Sequence, residues 1–276
     1  MLDFIIHEPA DEYHARSKSG EFMSSHLLSD FRDSPLLYHR KVTGIIQDAD
    51  SPAYAFGRAA HSFILEGEAK FDEEFFICDG PINDRTGEPY GKTTKAYQEW
   101  AARQTRQIVS VKDFALISTM RNSVRANNYA TDLLAQGEAE GVVRATYCGV
   151  PCQIRMDWFN PNRGLVDYKT CDSLKYFEYD CKRFGYVRQL AFYRGVINAA
   201  IKQMIPPGHV AGAVRDVYLI ATEKNEPFAT GVWKLSNEVL DMAEEVNGHV
   251  LDRYRECKQS NIWPTGYEEM RTIDEF

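Results

Sequence analysis

Two short stretches of this 276-residue chain hold charged side chains at spacings that could do chemistry. One is Gln153-Ile154-Arg155-Met156-Asp157-Trp158, the other Gly164-Leu165-Val166-Asp167-Tyr168-Lys169-Thr170. Strand side chains alternate faces, so Gln153, Arg155 and Asp157 share one side while Ile154, Met156 and Trp158 take the other, and Asp167 and Lys169 share a face of the second strand. A hairpin turning about Asn162 sets position 157 opposite 167, since both lie five residues from the turn. Two carboxylates so placed in a partly buried sheet repel one another unless a cation lies between them. Hard oxygen ligands, with room for water and a phosphate oxygen, suit Mg²⁺ or Mn²⁺ rather than zinc. Lys169 could then hold an attacking water or offset charge building on a phosphate. The plainer alternative is a solvated, salt-bridged sheet face.

Further groups stand in order around this pair. Gly57-x-x-x-His61 and Gln189-x-x-x-Tyr193 each place two residues on one helical face, and Glu140 opens the strand before Asp157. Glycine permits close backbone approach, and an imidazole is a metal ligand. Alone, His61 would read as a satisfied core histidine, and Gln189 with Tyr193 as a helix packing on the sheet.

Taken together, Gly57-x-x-x-His61, Glu140, Asp157, Asp167-Tyr168-Lys169-Thr170 and Gln189-x-x-x-Tyr193 resemble the PD-(D/E)XK nuclease superfamily, in the branch of the RecB-type nuclease domains and the RecE-like (exodeoxyribonuclease VIII-type) enzymes. Ser24-Ser25-His26-Leu27-Leu28, Ser34-Pro35-Leu36-Leu37-Tyr38 and the ending Trp263-Pro264-Thr265-Gly266-Tyr267 are similar to RecE segments, so the resemblance spans nearly the whole chain. It implies an α/β fold with a restriction-endonuclease-like core, a mixed central sheet flanked by helices, and N-terminal helical additions. It implies that His61, Asp157, Asp167 and the main-chain carbonyl of Tyr168 hold the metal, Mg²⁺ with Mn²⁺ able to substitute, and that Lys169 is the catalytic lysine. Glu140 supports the metal through water, with Glu138 competing for that role, and Gln189 and Tyr193 orient the site or the DNA strand.

The implied activity is 5′-to-3′ digestion of linear double-stranded DNA from free ends, leaving 3′ single strands for a single-strand annealing recombination protein. A homo-oligomeric ring fits that task. Ser25 and Arg16 are candidates for a pocket receiving the 5′ phosphate, although Ser25 serves equally as a helix cap. Arg58 and Arg188 are candidates for DNA contact, together with Arg40-Lys41, Lys175 and Lys182-Arg183; each is equally a solvated charge. Met156 stands where a proline often precedes the motif's first aspartate, a position that varies widely. Relatives with an iron–sulfur cluster carry three closely spaced cysteines after the core; here only Cys257 follows Cys181, so no cluster is expected. The alternatives are an endonuclease of the same superfamily acting on DNA structures, and a catalytically silent scaffold binding DNA or a recombinase. Neither G-x-x-x-x-G-K-[ST] nor G-x-G-x-x-G occurs.

The elements that must position these residues follow from periodicity and punctuation. Helices are predicted over Ser24–Phe31, Ala53–Glu66, Thr93–Gln107, Val111–Ala135, Phe184–Met204 and Ser236–Gln259, with loop chemistry over 79–92. Strands are predicted over 139–147, 152–159, 164–170, Ala213–Ala221 and Phe228–Leu235, and Pro206-Pro207-Gly208 should end the helix before the last two. No linker or repeat divides the chain, so 1–276 reads as a single nuclease domain: 1–136 mainly helical, 137–235 the catalytic sheet and site helix, 236–276 a helix and tail.

Composition bounds the rest. Thirty-two Lys+Arg against 40 Asp+Glu give a net charge of −8, which argues against coating nucleic acid non-specifically and requires any DNA contact to be a localised basic groove. Hydrophobic residues at 44 % with charged residues at 26 % exclude wholesale disorder and a coiled coil. No apolar run approaches the roughly 18 residues of a membrane span, and the first residues lack the basic region of a signal peptide, so a cytoplasmic protein is expected. The six cysteines form no C-x-x-C and read as reduced thiols; a turn at Gly149-Val150-Pro151 that brings Cys148 near Cys152 leaves redox chemistry a minor alternative.

Overall fold

The computed structural model describes residues 4–47, 51–205 and 212–272. Its helices are α1 (Ala10–Lys18), α2 (Ser25–Asp33), α3 (Pro35–Val42), α4 (Pro52–His61), α5 (Glu68–Glu74), α6 (Lys95–Ala101), α7 (Val111–Ala126), α8 (Asn128–Leu134), α9 (Phe177–Arg183), α10 (Tyr186–Met204) and α11 (Asn237–Ser260). Its strands are β1 (Phe75–Ile77), β2 (Gln107–Val109), β3 (Glu138–Tyr147), β4 (Val150–Asn160), β5 (Gly164–Cys171), β6 (Val217–Glu223) and β7 (Thr230–Lys234). Strands β3 to β7 lie side by side in sequence order; only β5 and β6 run parallel, joined by a crossover through α9 and α10. This is the mixed α/β architecture the sequence predicts.

Helices cover both faces of the sheet. One core joins Leu28 and Phe31 of α2, Leu190, Phe192 and Ile197 of α10, and Leu240 and Leu251 of α11 to Ile154, Met156 and Leu165 of the sheet. The other joins Ala59 and Ala60 of α4, Ile117 and Val124 of α7, and Ala130 and Leu133 of α8 to Val166, Tyr168 and Ile220. β5 is therefore lined with apolar contacts on both sides, and its charged pair, Asp167 and Lys169, is carried into the interior with it.

Several boundaries move for local reasons. Pro35 does not close a helical region; it is the first residue of α3, capped by Ser34, whose hydroxyl accepts from Leu37 N. The predicted helix over 111–135 breaks at Asn127, whose side chain accepts from Tyr129 N and Ala130 N and restarts the chain as α8. Gln107 belongs to β2, which pairs with β1 in a small parallel ribbon that periodicity does not reveal. The stretch 53–66 is helical throughout, but Ser62–Glu66 forms a π-helical turn before Gly67, at φ 95°, ends it. α1 and α9 also escaped prediction. Pro206-Pro207-Gly208 lies outside the described residues.

At the C-terminal end, Trp263 stacks on His39 with ring centroids 4.6 Å apart, and Pro264 O accepts from Leu36 N at 3.0 Å. The ending that resembles RecE thus clamps the α2–α3 hairpin against α11 through Phe31, Tyr38 and Tyr254.

Candidate active site

The ladder between β4 and β5 pairs Trp158 with Val166, Phe159 with Leu165 and Asn160 with Gly164, a register centred on Asn162 as expected. It then stops. β4 stays with β3, β5 stays with β6, and a wedge opens between them at positions 157 and 167. The Asp157 carboxylate bridges the wedge, its Oδ2 accepting from Tyr168 N at 2.8 Å where a strand carbonyl would otherwise serve. The bend also corrects the simple alternation: Ile154 and Met156 face the first core, but Trp158 packs against the second.

His61 arrives from α4 on the far side, its Nδ1 3.4 Å from Asp157 Oδ2 and its ring edge-on to Tyr168 at 5.4 Å. Glu140 comes from β3, across from Asp157 in a register that pairs Ala139 with Trp158 and Gly141 with Met156. Its φ of 56° is rare for a side chain other than glycine or asparagine and re-aims the strand there. Ligand atoms of His61, Glu140 and Asp157 all lie within 4.8 Å of one another. Asp167 falls outside that group of three although it is 1 % exposed and borders it; its Oδ2 lies 2.7 Å from Lys169 Nζ. Beyond this ion pair, no hydrogen-bond donor among the described residues reaches either Asp167 oxygen. Glu138 lies outside this group, against His7 at 3.1 Å.

The electrostatics of this wedge are those of a site short of positive charge. Burial, then the Asp157 charge, push Asp167 up to about 6, against the pull of Lys169. Burial and Asp157 likewise push Glu140 up to about 7, although Arg155 Nε is hydrogen-bonded to it. Asp157 is raised by burial despite Lys169 and the Tyr168 amide. Burial works against the charge on Lys169, but Asp167 and Asp157 outweigh it and hold the ammonium protonated. His61 is lowered by burial and by Lys169, so it is a neutral imidazole with a lone pair to give. One buried and two half-buried carboxylates, a neutral imidazole and an Asp167 whose Oδ1 has no partner fit a hard divalent cation.

Along α10, Gln189 Nε2 donates to Tyr193 OH at 3.3 Å. Burial raises Tyr193 to about 12, with Asp157 and Asp167 adding to the rise and Gln189 and Ser25 opposing it. Ser24, not Ser25, is the cap of α2, its hydroxyl accepting from Leu27 N. Arg188 is half-buried, and none of its nitrogens is hydrogen-bonded to a described residue. Arg58 donates to Gln107 at 3.2 Å, one turn before His61. Arg16 is held by Glu21 at 2.9 Å at the end of α1, and no contact among the described residues ties it to the carboxylates. A Cβ built at Gly57 meets nothing within 4 Å, so no neighbour in the fold demands glycine there.

Two participants lie beyond the predicted set. Arg155 clamps Glu140, and Tyr186 sets its ring 5.0 Å from Lys169 Nζ. The polar face Gln153-Arg155-Asp157 was the available signal for Arg155; Gln153 itself is fully buried and ties the strand to α1 through Tyr13 O and Ser17 Oγ. Nothing in the sequence marks Tyr186 apart from other apolar positions of its helix.

Residues 24–275 match the family described as "PDDEXK-like domain of unknown function (DUF3799)". The chain belongs to this family. Membership places it in the PD-(D/E)XK nuclease superfamily, as the order of its site residues implied. A solved structure from Eubacterium rectale, described as a "Putative exonuclease", superposes with a TM-score of 0.68 over 98 % of this chain and 97 % of that one. At 14 % identity that likeness concerns the fold. No curated protein matches. The six cysteines are free thiols, and no helix among the described residues is long and apolar enough to cross a membrane.

Proposed function

We propose that this PDDEXK-like protein is a Mg²⁺-dependent deoxyribonuclease, a RecE-like 5′-to-3′ exonuclease that shortens linear double-stranded DNA and leaves 3′ single strands for recombination or repair. The observation that carries the reading is the buried wedge in which His61, Glu140 and Asp157 converge beside the Asp167–Lys169 pair. His61, Glu140 and Asp157 would hold the ion, with Asp167 and the Tyr168 carbonyl completing its surroundings. A divalent cation there supplies Lewis acidity toward a phosphate oxygen and lowers the pKa of water.

The chain's own groups do the rest. Lys169, kept protonated by its carboxylates, offers a buried donor to charge developing on the phosphate as water adds and the P–O bond breaks. Gln189 hydrogen-bonded to Tyr193, with Ser25 beside the Tyr193 hydroxyl, forms a polar wall suited to orienting the scissile strand or receiving a terminal phosphate. The Arg188 guanidinium, without an acceptor among the described residues, suits a backbone phosphate. An acidic chain must segregate its cations to hold a polyanion, and a homo-oligomeric ring with a basic lumen would do so. An annealing protein is the natural recipient of the product strand.

The test is incubation with linear 5′-phosphorylated duplex and with covalently closed circles, each in Mg²⁺ and in EDTA. Loss of the linear form alone, in Mg²⁺ alone, is expected, and end-labelling then reads polarity. Cutting of circles would favour the endonuclease, and no metal-dependent loss of either would leave a DNA-binding scaffold.

A further inference from the structure

The segment joining β5 to α10 exposes aromatic rings that the fold does not use. Tyr176 is 57 % exposed, Tyr179 66 % and Phe184 57 %. On the same segment Phe177 is 1 % exposed and anchors α9 against Trp233, ring centroids 4.6 Å apart, and against Tyr186 at 6.2 Å. The segment thus buries one ring and turns three into solvent within nine residues, with α9 between the first and the last of them. Lys175 Nζ lies 5.3 Å from the Tyr176 ring and the Arg183 guanidinium 5.2 Å from the Phe184 ring, and Lys182 is exposed beside them. Of the two carboxylates on α9, Glu178 is turned to Trp233 Nε1 at 3.3 Å, and Asp180 is half-buried.

The position of these rings matters as much as their exposure. Phe184 lies 5.8 Å from Tyr186, tilted by 30°, and Tyr186 sits 5.0 Å from Lys169 Nζ. A run of ring faces therefore leads from the lysine of the wedge to the surface. Exposed rings interleaved with cations match the needs of unpaired nucleic acid: every base has a face that stacks, and the phosphates between bases meet the positive charges. A duplex hides its base faces and gains nothing from the rings.

We infer that Tyr176, Tyr179 and Phe184 form a stacking surface for unpaired bases of the DNA strand beside the wedge, with Lys175, Lys182 and Arg183 taking its phosphates. The choice of DNA as the polymer rests on the function proposed above. Separation of a strand at a duplex end would be captured here, next to the residues that cut it.

The experiment measures binding in EDTA, where nothing is cut, by fluorescence anisotropy with three labelled probes of about a dozen nucleotides: a thymidine single strand, the same strand with abasic sugars, and a blunt duplex. The wild-type protein should bind the base-bearing strand about tenfold or more tighter than the abasic one. Tyr176→Ala, Tyr179→Ala and Phe184→Ala should each reduce that ratio, and together bring it to about one, with duplex affinity within about twofold of wild type and an unchanged melting curve. Tyr179→Trp should retain the preference. Equal loss on base-bearing and abasic strands would overturn the inference, as would variants indistinguishable from wild type, the result expected if the rings dock a protein instead. Digestion of linear duplex in Mg²⁺ by the same preparations separates the two readings. Base-selective binding without digestion removes the nuclease and keeps the stacking surface; digestion with no base preference does the reverse.

Discussion

Glu140 carries a cost that the free protein must bear. Its folded pKa, about 7, lies above its ordinary 4.5, so the stability it contributes is present below about pH 4.5 and lost as pH rises through 7. Glu140→Gln should therefore stabilise the metal-free protein at pH 8 by about 1–3 kcal/mol, and hardly at pH 4, while abolishing cleavage; thermal melts in EDTA at the two values check this. The same protons set the pH dependence of metal binding. Glu140 and Asp167 must lose them for an ion to enter, so Mn²⁺ affinity should rise from pH 5 to pH 8, with proton release that calorimetry in buffers of different ionisation enthalpy would detect. An affinity independent of pH would place the ion elsewhere. His61→Ala should weaken Mn²⁺ binding by about tenfold or more, the loss expected when a neutral nitrogen ligand is removed.

At the level of elements, the wedge depends on β5 starting in register with β6. Gly164 adopts φ 118° with Asp216 O only 2.2 Å from where a Cβ would sit, so Gly164→Ala strains the backbone and collides with it. A loss of about 2 kcal/mol or more in denaturant unfolding is expected, with activity falling in parallel. The central strands were legible because alternation and turn residues agree there: Asn160 to Gly164 announces the hairpin, and the register about Asn162 follows by counting. What counting could not show is that β4 parts from β5 immediately afterwards, because the departure is made by one side chain, Asp157, taking the Tyr168 amide. For the same reason Glu140 joins His61 and Asp157 more tightly than Asp167 does: its left-handed backbone is a tertiary compromise invisible to periodicity. α9 and the β1–β2 ribbon are too short to carry a period at all. Asp157, Lys169 and His61 were legible as chemistry because their types and order matched a pattern, whereas Arg155 and Tyr186 enter only through the neighbours they touch.

The whole molecule must reconcile a net charge of −8 with a polyanionic substrate. If its contacts with DNA are confined to a few cations such as Arg188, Lys182 and Arg183, affinity for duplex should fall linearly on a log–log plot against salt, with a slope reporting the few phosphates engaged. Light scattering should give a mass above the 31.6 kDa of one chain if the ring exists; a monomer at working concentration would remove the ring and leave the site untouched. The proposed hydrolysis of DNA in the wedge depends on Lys169. Its most direct measurement compares wild type with Lys169→Ala in digestion of a 5′-phosphorylated linear duplex in Mg²⁺, with melting curves of both. A rate lower by about a thousandfold or more is expected in the variant, a magnitude typical of losing a preorganised charge donor, with a fold that still melts cooperatively. A Lys169→Ala protein that digests DNA at the wild-type rate would contradict that dependence.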